Sequence, residues 1–329
     1  VGYAISYDED ANRTSYTKYI YPADSAIVEK TEQYGYDPET MQMGFLFVET
    51  FYESYTDEDE TTATRVLYML SYDEDSDTWY RIDYTYFSDS VDLVKETRQY
   101  VYNYTTQQIG DFNAENEYEQ YTFTLANEWG FEIYRTERSR IAHSISFDMQ
   151  NGYWLESFYT YQAATDILTH TISYTYDTTT QQHTGQCVSE ITYETYRDEQ
   201  GQAHQRISTV LTFAADEYSY SVYTYNEGNH TDESDMVDGY QYDYAAGQIV
   251  GDGISKTYYE VYFDTMRNRD CRRIASTLTY NEEEGKWITA VYSYESLNSN
   301  LISQVSQYYY DMTTHQRGDV LIGSMIYQT

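Results

Sequence analysis

The chain has 329 residues, of which 44 are tyrosines and only 2 are prolines. Its formal net charge is −36 at neutral pH, from 55 acidic and 19 basic residues. A chain this acidic is repelled by phosphate backbones and by anionic lipid, so the composition argues against nucleic acid as a partner. No apolar run approaches the ~18 residues that a membrane-spanning helix needs, so we expect no membrane insertion.

The composition predicts an all-β fold. Tyr and Thr favour the pleated, half-buried surface of a strand, and no long stretch carries apolar residues at the helical spacing i, i+3, i+4 and i+7. In chain order, the first element is region 1–70, which lacks a clear internal repeat. We expect it to be a divergent N-terminal cap that protects an exposed sheet edge.

The first clear repeat unit spans residues 72–103. Trp79 to Tyr86 is predicted to be a strand, Phe87 to Asp92 a turn, and Leu93 to Tyr102 the returning strand. Asp, Asn, Ser and Gly between such runs supply turn chemistry. The unit is therefore predicted to be a β-hairpin of roughly 30 residues.

The same spacing recurs in units 147–177 and 280–311. In each copy a Trp lies six residues after Asp or Asn, two Tyr follow at +5 and +7, and a Leu lies seven residues beyond the second Tyr. The repeated residues are Tyr72, Trp79, Tyr84 and Tyr86; Trp154, Tyr159 and Tyr161; and Trp287, Tyr292 and Tyr294. The fourth tryptophan, Trp129, keeps only the +5 Tyr.

Tandem hairpins of this kind predict one continuous repeat array over residues 1–329, an antiparallel up-and-down meander of about twenty strands. Side-chain alternation gives one tyrosine-rich face and one mixed face that carries the Trp residues. Burying the tyrosine face requires the sheet to curl, to wind as a solenoid or to be covered by a second layer. The sequence leaves these arrangements open.

The repeat resembles the Tyr-rich repeat proteins that Bacteroidetes export. The residues that carry the likeness are Tyr72-Asp73, Trp79 and Tyr84-x-Tyr86, with their counterparts in the two later units. The resemblance implies a secreted or surface-exposed bacterial protein of uncharacterised role. There is a looser likeness to the YD-repeats of toxin-associated shells, although the Gly-Arg that follows Tyr-Asp in those units is missing.

Several features bear on localisation, which we expect to be extracellular or at the cell surface. Asn-x-Thr sequons, which accept N-linked glycans, occur at Asn12, Asn103 and Asn229. No signal peptide precedes Val1, so we expect either a mature exported chain or one that was never exported. Cys187 and Cys271 either form a single disulfide or stay free, because their spacing does not establish proximity.

The sequence predicts neither catalytic residues nor a required cofactor. The six histidines show no zinc-binding spacing, and no nucleophile elbow or phosphate loop is present. Asp73, Asp75 and Asp77 place carboxylates at alternate positions and are weak Ca²⁺ candidates, although charged hairpin tips that block edge association are the favoured explanation. Trp79, Trp154 and Trp287 could stack on sugar rings, although packing between strands is the favoured role for such residues.

We therefore expect a non-enzymatic repeat protein that acts in adhesion, scaffolding or self-assembly, including as a subunit of an extracellular fibre. Its partners would be a protein or glycan surface, or further copies of itself. The second hypothesis is a carbohydrate-binding protein that uses Tyr and Trp platforms. The third is a glycoside hydrolase, because a suitable carboxylate pair could form in space without any sequence trace.

Overall fold

The computed structural model describes residues 2–8, 13–57, 59–88, 92–126, 132–149, 151–198, 200–214, 217–226, 232–265 and 269–327. These residues form twenty β-strands, so the predicted all-β class is confirmed. Over the same residues we find no helix long and apolar enough to cross a bilayer. The strands are β1 (Gly2–Asp8), β2 (Arg13–Ile20), β3 (Lys30–Asp37), β4 (Gln42–Thr56), β5 (Thr62–Asp73), β6 (Thr78–Tyr86), β7 (Val94–Asn103), β8 (Gln108–Ala126), β9 (Glu132–Asp148), β10 (Tyr153–Tyr161), β11 (Leu168–Asp177), β12 (Gln182–Arg197), β13 (Ala203–Ala214), β14 (Glu217–Thr224), β15 (Met236–Asp243), β16 (Gln248–Asp264), β17 (Arg269–Asn281), β18 (Lys286–Tyr294), β19 (Ile302–Asp311) and β20 (Gln316–Ile326).

The chain divides into two compact units. The first comprises Val1–Tyr159, Ala163–Asp166 and Thr175–Thr184, and the second comprises Thr160–Gln162, Ile167–Tyr174 and Gly185–Thr329. In the first unit, each strand from β1 to β10 pairs antiparallel with the next strand along the chain. In the second unit, the strands from β12 to β20 do the same. The predicted up-and-down meander is therefore present in each unit.

The hairpins are grouped in a longer repeat of four strands, which is two hairpins. Strands β4–β7, β8–β11, β12–β15 and β16–β19 form four copies, in which the first two strands have 12 to 19 residues and the last two have 8 to 10. The units read from the sequence correspond to the two short strands of three copies. Residues 42–56 and 62–70, which the sequence placed in the cap, belong to the two long strands of the first copy.

One kind of turn recurs where short and long strands meet. Its first residue is Asp or Asn, whose side-chain oxygen accepts a backbone N–H two or three residues later, and its fifth residue has a positive φ of 50° to 72°. The first and fifth residues are Asp37 and Met41, Asp73 and Asp77, Asn103 and Gln107, Asp148 and Gly152, Asp177 and Gln181, Asp243 and Gly247, Asn281 and Gly285, and Asp311 and His315. This turn explains why a Tyr-Asp or Tyr-Asn pair closes each predicted unit.

A β-bulge recurs between the two long strands of every repeat. The register shifts between Phe51 and Tyr52, between Glu117 and Tyr118, between Thr192 and Tyr193, and between Tyr258 and Tyr259. A bulge bends the strand and increases its twist. Its repetition shows that all four copies share one backbone design.

The core of each repeat centres on one aliphatic side chain of the second long strand. Leu70, Ile145, Leu211 and Leu278 are 4%, 7%, 3% and 3% exposed. Their cross-strand neighbours on the first long strand are Glu49, Glu115, Glu190 and Lys256, respectively. The apolar core is therefore narrow, and ionisable groups border it within the sheet.

Candidate functional site

The three repeated tryptophans occupy equivalent positions at the start of the third strand of a repeat. Each faces an aromatic residue across the strand pair, with ring centroids 5.4 to 5.5 Å apart. The pairs are Trp79 with Tyr72, Trp154 with Phe147, and Trp287 with Tyr280. In the third repeat the position is held by Tyr218, which faces Phe213.

The tryptophans are half-buried and pack against further rings. Trp79 stacks on Tyr104, with centroids 4.4 Å apart, and Trp154 stacks on Phe112 at 5.3 Å. One flat face of each of these two indoles therefore serves packing between strands. The ligand-binding role suggested for the three tryptophans stays a prediction.

The repeated tyrosines lie on the opposite side of the strands or at their ends. Burial raises the pKa of Tyr84, and the Tyr159 hydroxyl lies 3.1 Å from the Ser144 hydroxyl on the neighbouring strand. The tyrosine-rich face predicted by alternation is thus a packed surface.

An Arg side chain joins the two long strands of each repeat to the neighbouring short strand or loop. In the first repeat, Arg65 Nε donates to Glu53 Oε1 at 2.7 Å, and the guanidinium lies over the rings of Tyr55 and Tyr86 at 5.2 and 4.3 Å. The Tyr86 hydroxyl donates to the carbonyl of Val66 at 2.5 Å. Burial raises the pKa of Tyr86 to about 12. We call the group of one Arg, one Glu and two Tyr the arginine clasp.

The arginine clasp recurs in the later repeats. Arg206 contacts Glu194, Tyr196 and Tyr225; Arg273 contacts Glu260, Tyr262 and Tyr294; and Arg140 contacts Glu119 and Tyr121. The hydroxyls of Tyr225 and Tyr294 also donate to the carbonyl one residue after the Arg. Stacking of a planar guanidinium on aromatic rings, together with a carboxylate bond, suits Arg and not Lys.

The sequence contains a signal for the clasp that the tryptophan spacing did not reveal. The motif Tyr-Glu-x-Tyr begins at Tyr52, Tyr118, Tyr193 and Tyr259. In each copy its Glu and second Tyr are clasp residues, and an Arg follows on the next strand. A search for repeats of 66 to 75 residues would have found it.

A chain of ion pairs crosses β2, β3 and β4 in the first unit. Lys18 Nζ lies 2.9 Å from Glu32, Lys30 Nζ lies 3.0 Å from Glu32, and Lys30 also pairs with the buried Glu49. Burial acts to raise the pKa of Glu32, but hydrogen bonds from Lys18, Lys30 and Tyr34 outweigh it and lower that pKa to about 2. Glu32 therefore carries its charge far into the acid range.

Replacing Glu32 with Gln is expected to lower the free energy of unfolding at neutral pH by about 1 kcal/mol, the upper range for a partly exposed ion pair. Because the folded-state pKa lies below the ordinary 4.5, the stabilisation is present above that value and is lost as the pH falls towards 2. Urea unfolding across this range should show the two proteins converging. Glu39→Gln, at an exposed turn, is the control, and a pH-independent difference for the Glu32 variant would contradict the assignment.

A cleft of about 680 Å³ opens in the first unit over β7, β8, β9, β10 and the end of β11. Aromatic rings and polar groups line it together. The lining residues are Arg98, Tyr100, Phe112, Glu115, His143, Ile145, Glu156, Tyr176, Thr178 and Gln181.

The polar groups of the cleft are linked in pairs. Arg98 Nε donates to Glu115 Oε2 at 2.8 Å, and Arg98 also pairs with Glu96. His143 Nε2 lies 2.9 Å from Glu156 Oε1. The second carboxylate oxygen of Glu156 is buried and has no hydrogen-bond partner in the described part of the chain. The cleft therefore offers both donors and acceptors beside aromatic rings.

The predicted calcium residues shape a turn. Asp73 Oδ1 accepts the N–H of Asp75, Asp73 Oδ2 accepts the Ser76 hydroxyl, and the Tyr72 hydroxyl donates to Asp77 Oδ1. Among the described residues, no three His, Cys, Asp or Glu side chains converge to hold a metal ion. Calcium binding at this turn stays an untested prediction.

Cys187 and Cys271 are both buried and free. The single disulfide that the sequence left open is therefore not formed. The two residues lie on β12 and β17, at different positions of the repeat, and act as small apolar side chains. Burial raises the pKa of the Cys187 thiol, which disfavours the reactive thiolate.

Of the predicted glycosylation sites, only Asn103 falls in the described residues. It is exposed, and its side-chain oxygen accepts the N–H of Thr106 in the turn between β7 and β8. Asn12, Asn229 and the unpaired Trp129 lie outside the described residues. Glycosylation stays a prediction at all three sequons.

No family model matches the chain, and no curated protein sequence matches it. Solved structures similar to it include a protein of unknown function from Bacteroides fragilis, 12% identical with a TM-score of 0.17, which covers 55% of this chain and 96% of its own. A porin-like protein from Bacteroides uniformis is 11% identical with a TM-score of 0.21, and covers 97% of this chain and 93% of its own. Such low values assign no activity or partner to this chain, which by its own strands is a β-hairpin repeat protein.

Proposed function

We propose that this chain is a non-enzymatic, secreted or cell-surface repeat protein that acts in adhesion, scaffolding or self-assembly through its repeated sheet surface. One observation carries the proposal. The clasp Arg and Glu with one clasp Tyr, the bulge and the buried aliphatic residue recur in all four repeats, whereas exposed residues at matching positions differ, as Phe45 and Asp111 do. A constant frame with variable outward residues is how repeat proteins present a surface to macromolecules.

The amount of exposed surface supports a binding role. The chain exposes 21002 Å². A stable protein interface needs only about 800 Å² per partner. The exposed side chains include large apolar ones, such as Met43 and Phe45, which are 56% and 50% exposed.

The charge limits the kind of partner. At −36, the chain repels anionic surfaces at low ionic strength. We therefore expect a protein or glycan surface without strong negative charge, or a second copy that joins through apolar patches.

Adhesion is measured with beads that carry the protein, washed over surfaces coated with a neutral glycoprotein, with collagen, or with the protein itself. Beads coated with serum albumin, another acidic protein, are the control. We expect several-fold greater retention than albumin on at least one surface, or concentration-dependent association in sedimentation experiments. Retention equal to albumin on all surfaces, with a monomer at every concentration, would reject the proposal. Cleavage of an oligosaccharide by the purified protein would reject its non-enzymatic part.

A further inference from the structure

The cleft over β7–β11 contains a repeat position at which the four copies carry different side chains. Three residues after the clasp arginine, the four repeats carry Tyr68, His143, Thr209 and Ser276. In the first repeat, Tyr68 stacks on Phe51 with centroids 4.3 Å apart and lies under Arg81 at 4.1 Å. The Tyr68 ring thus fills the space that corresponds to the cleft.

The second repeat replaces this packed group with ionisable residues. His143 takes the place of Tyr68, Glu117 that of Phe51, and Glu156 that of Arg81. The imidazole lies between the two carboxylates, 3.5 Å from Glu117 and 2.9 Å from Glu156. A site of about 680 Å³ results, within the range of about 300–1,000 Å³ for small-molecule sites.

The lining groups select a class of ligand. Tyr100, Phe112 and Tyr176 offer ring faces for apolar C–H surfaces. The buried Glu156 oxygen that has no partner needs a hydrogen-bond donor from a ligand. The side-chain nitrogens of Arg98 and His143 can instead donate hydrogen bonds to a ligand. A hydroxyl both donates and accepts, so a polyhydroxylated molecule with an apolar ring face matches both sets of groups.

The negative charge of the cleft narrows the class of ligand further. The carboxylates of Glu115, Glu117 and Glu156 outnumber Arg98, and the whole chain is strongly acidic. Anionic sugars would therefore be repelled. Going beyond the proposed function, we propose that this cleft binds a segment of a neutral oligosaccharide.

The test uses the full chain and four neutral probes: cellohexaose, maltohexaose, laminarihexaose and chitohexaose. Binding is followed by calorimetry and by the fluorescence of Trp154, whose ring stacks on the cleft residue Phe112. His143→Tyr introduces the residue that fills this position in the first repeat. Ser276→Tyr makes the same change at the equivalent position of the fourth repeat and is the matched control.

We expect saturable binding of at least one probe by the wild type, weakened about tenfold or more by His143→Tyr, which corresponds to about 1.4 kcal/mol. Ser276→Tyr should bind like the wild type. Glu156→Gln, which keeps the side-chain size, should also weaken sugar binding. It replaces His143→Tyr as the test variant if circular dichroism shows that His143→Tyr does not fold.

Three outcomes would overturn the proposal. The first is the absence of saturable binding of all four sugars by the wild type. The second is equal binding by the wild type, His143→Tyr and Glu156→Gln, which would place the sugar elsewhere. The third is that the wild type binds methylguanidinium but none of the sugars, and that His143→Tyr abolishes this binding. Such a result would identify a cation site. Adhesion of beads is measured separately, so each proposal can fail without the other.

Discussion

Replacing Leu70 with Ala is expected to lower the free energy of unfolding of the first unit by about 2.5–4 kcal/mol, within the range for deleting a buried leucine. Leu70 is only 4% exposed and is the central aliphatic residue of its repeat. Its cross-strand neighbours are Glu49 and Arg81, whose charged ends are poorly suited to fill an apolar cavity. The loss is measured as a shift of the urea midpoint, followed by circular dichroism.

The control lies three residues earlier on the same strand. Leu67 is 42% exposed and is the extra residue of the bulge in β5. Leu67→Ala removes the same atoms from a partly solvated site, and we expect a loss below about 1 kcal/mol. Equal losses for the two variants would show that the narrow core of the repeat does not carry its stability.

The hairpins were predictable because their signals are local. The sequence placed a strand from Trp79 to Tyr86 and a return from Leu93 to Tyr102, and the structure has β6 at Thr78–Tyr86 and β7 at Val94–Asn103. Aromatic alternation and the Asp-led turn act over a few residues. Both can therefore be read without knowing what the strands pack against.

The longer four-strand period was not visible in the tryptophan spacing, for an identifiable reason. Among the described residues, Trp occurs only on short strands, and in the third repeat Tyr218 replaces it. Thr212, six residues before Tyr218, also takes the place of the Asp or Asn that lies six residues before each repeated Trp. With one copy hidden in this way, the spacing from Trp154 to Trp287 did not reveal the four-strand period.

The cleft could not be predicted from local patterns. Its walls come from five strands and from a turn, and the bulge between β8 and β9 sets which side chains face each other. In the sequence, His143 is one of six scattered histidines. His143 is distinguished only by its position three residues after the clasp residue Arg140, where the first repeat has Tyr68 three residues after Arg65. That comparison requires the four-strand repeat.

Replacing Arg273 with Ala is expected to destabilise the second unit by about 2–4 kcal/mol, because it removes a buried, stacked and hydrogen-bonded charge. The Arg273 side chain is 9% exposed, and Nε donates to Glu260 Oε1 at 2.7 Å. Its guanidinium also donates to the carbonyls of Ser296 and Ser299 in the loop after β18. Truncation leaves these acceptors without their donor. Urea unfolding followed by Trp287 fluorescence measures the loss.

Two further variants separate the parts of this clasp. Arg273→Lys keeps the charge but loses the planar group that lies over Tyr262 and Tyr294, so we expect about half of the alanine loss. Arg317→Ala removes another guanidinium over a tyrosine, 4.3 Å from the Tyr308 ring, but on the exposed strand β20. We expect it to cost less than about 1 kcal/mol. If Arg273→Ala cost no more than Arg317→Ala, the recurrence of the clasp would reflect sequence duplication alone, because burial and stacking would then contribute nothing measurable to the fold.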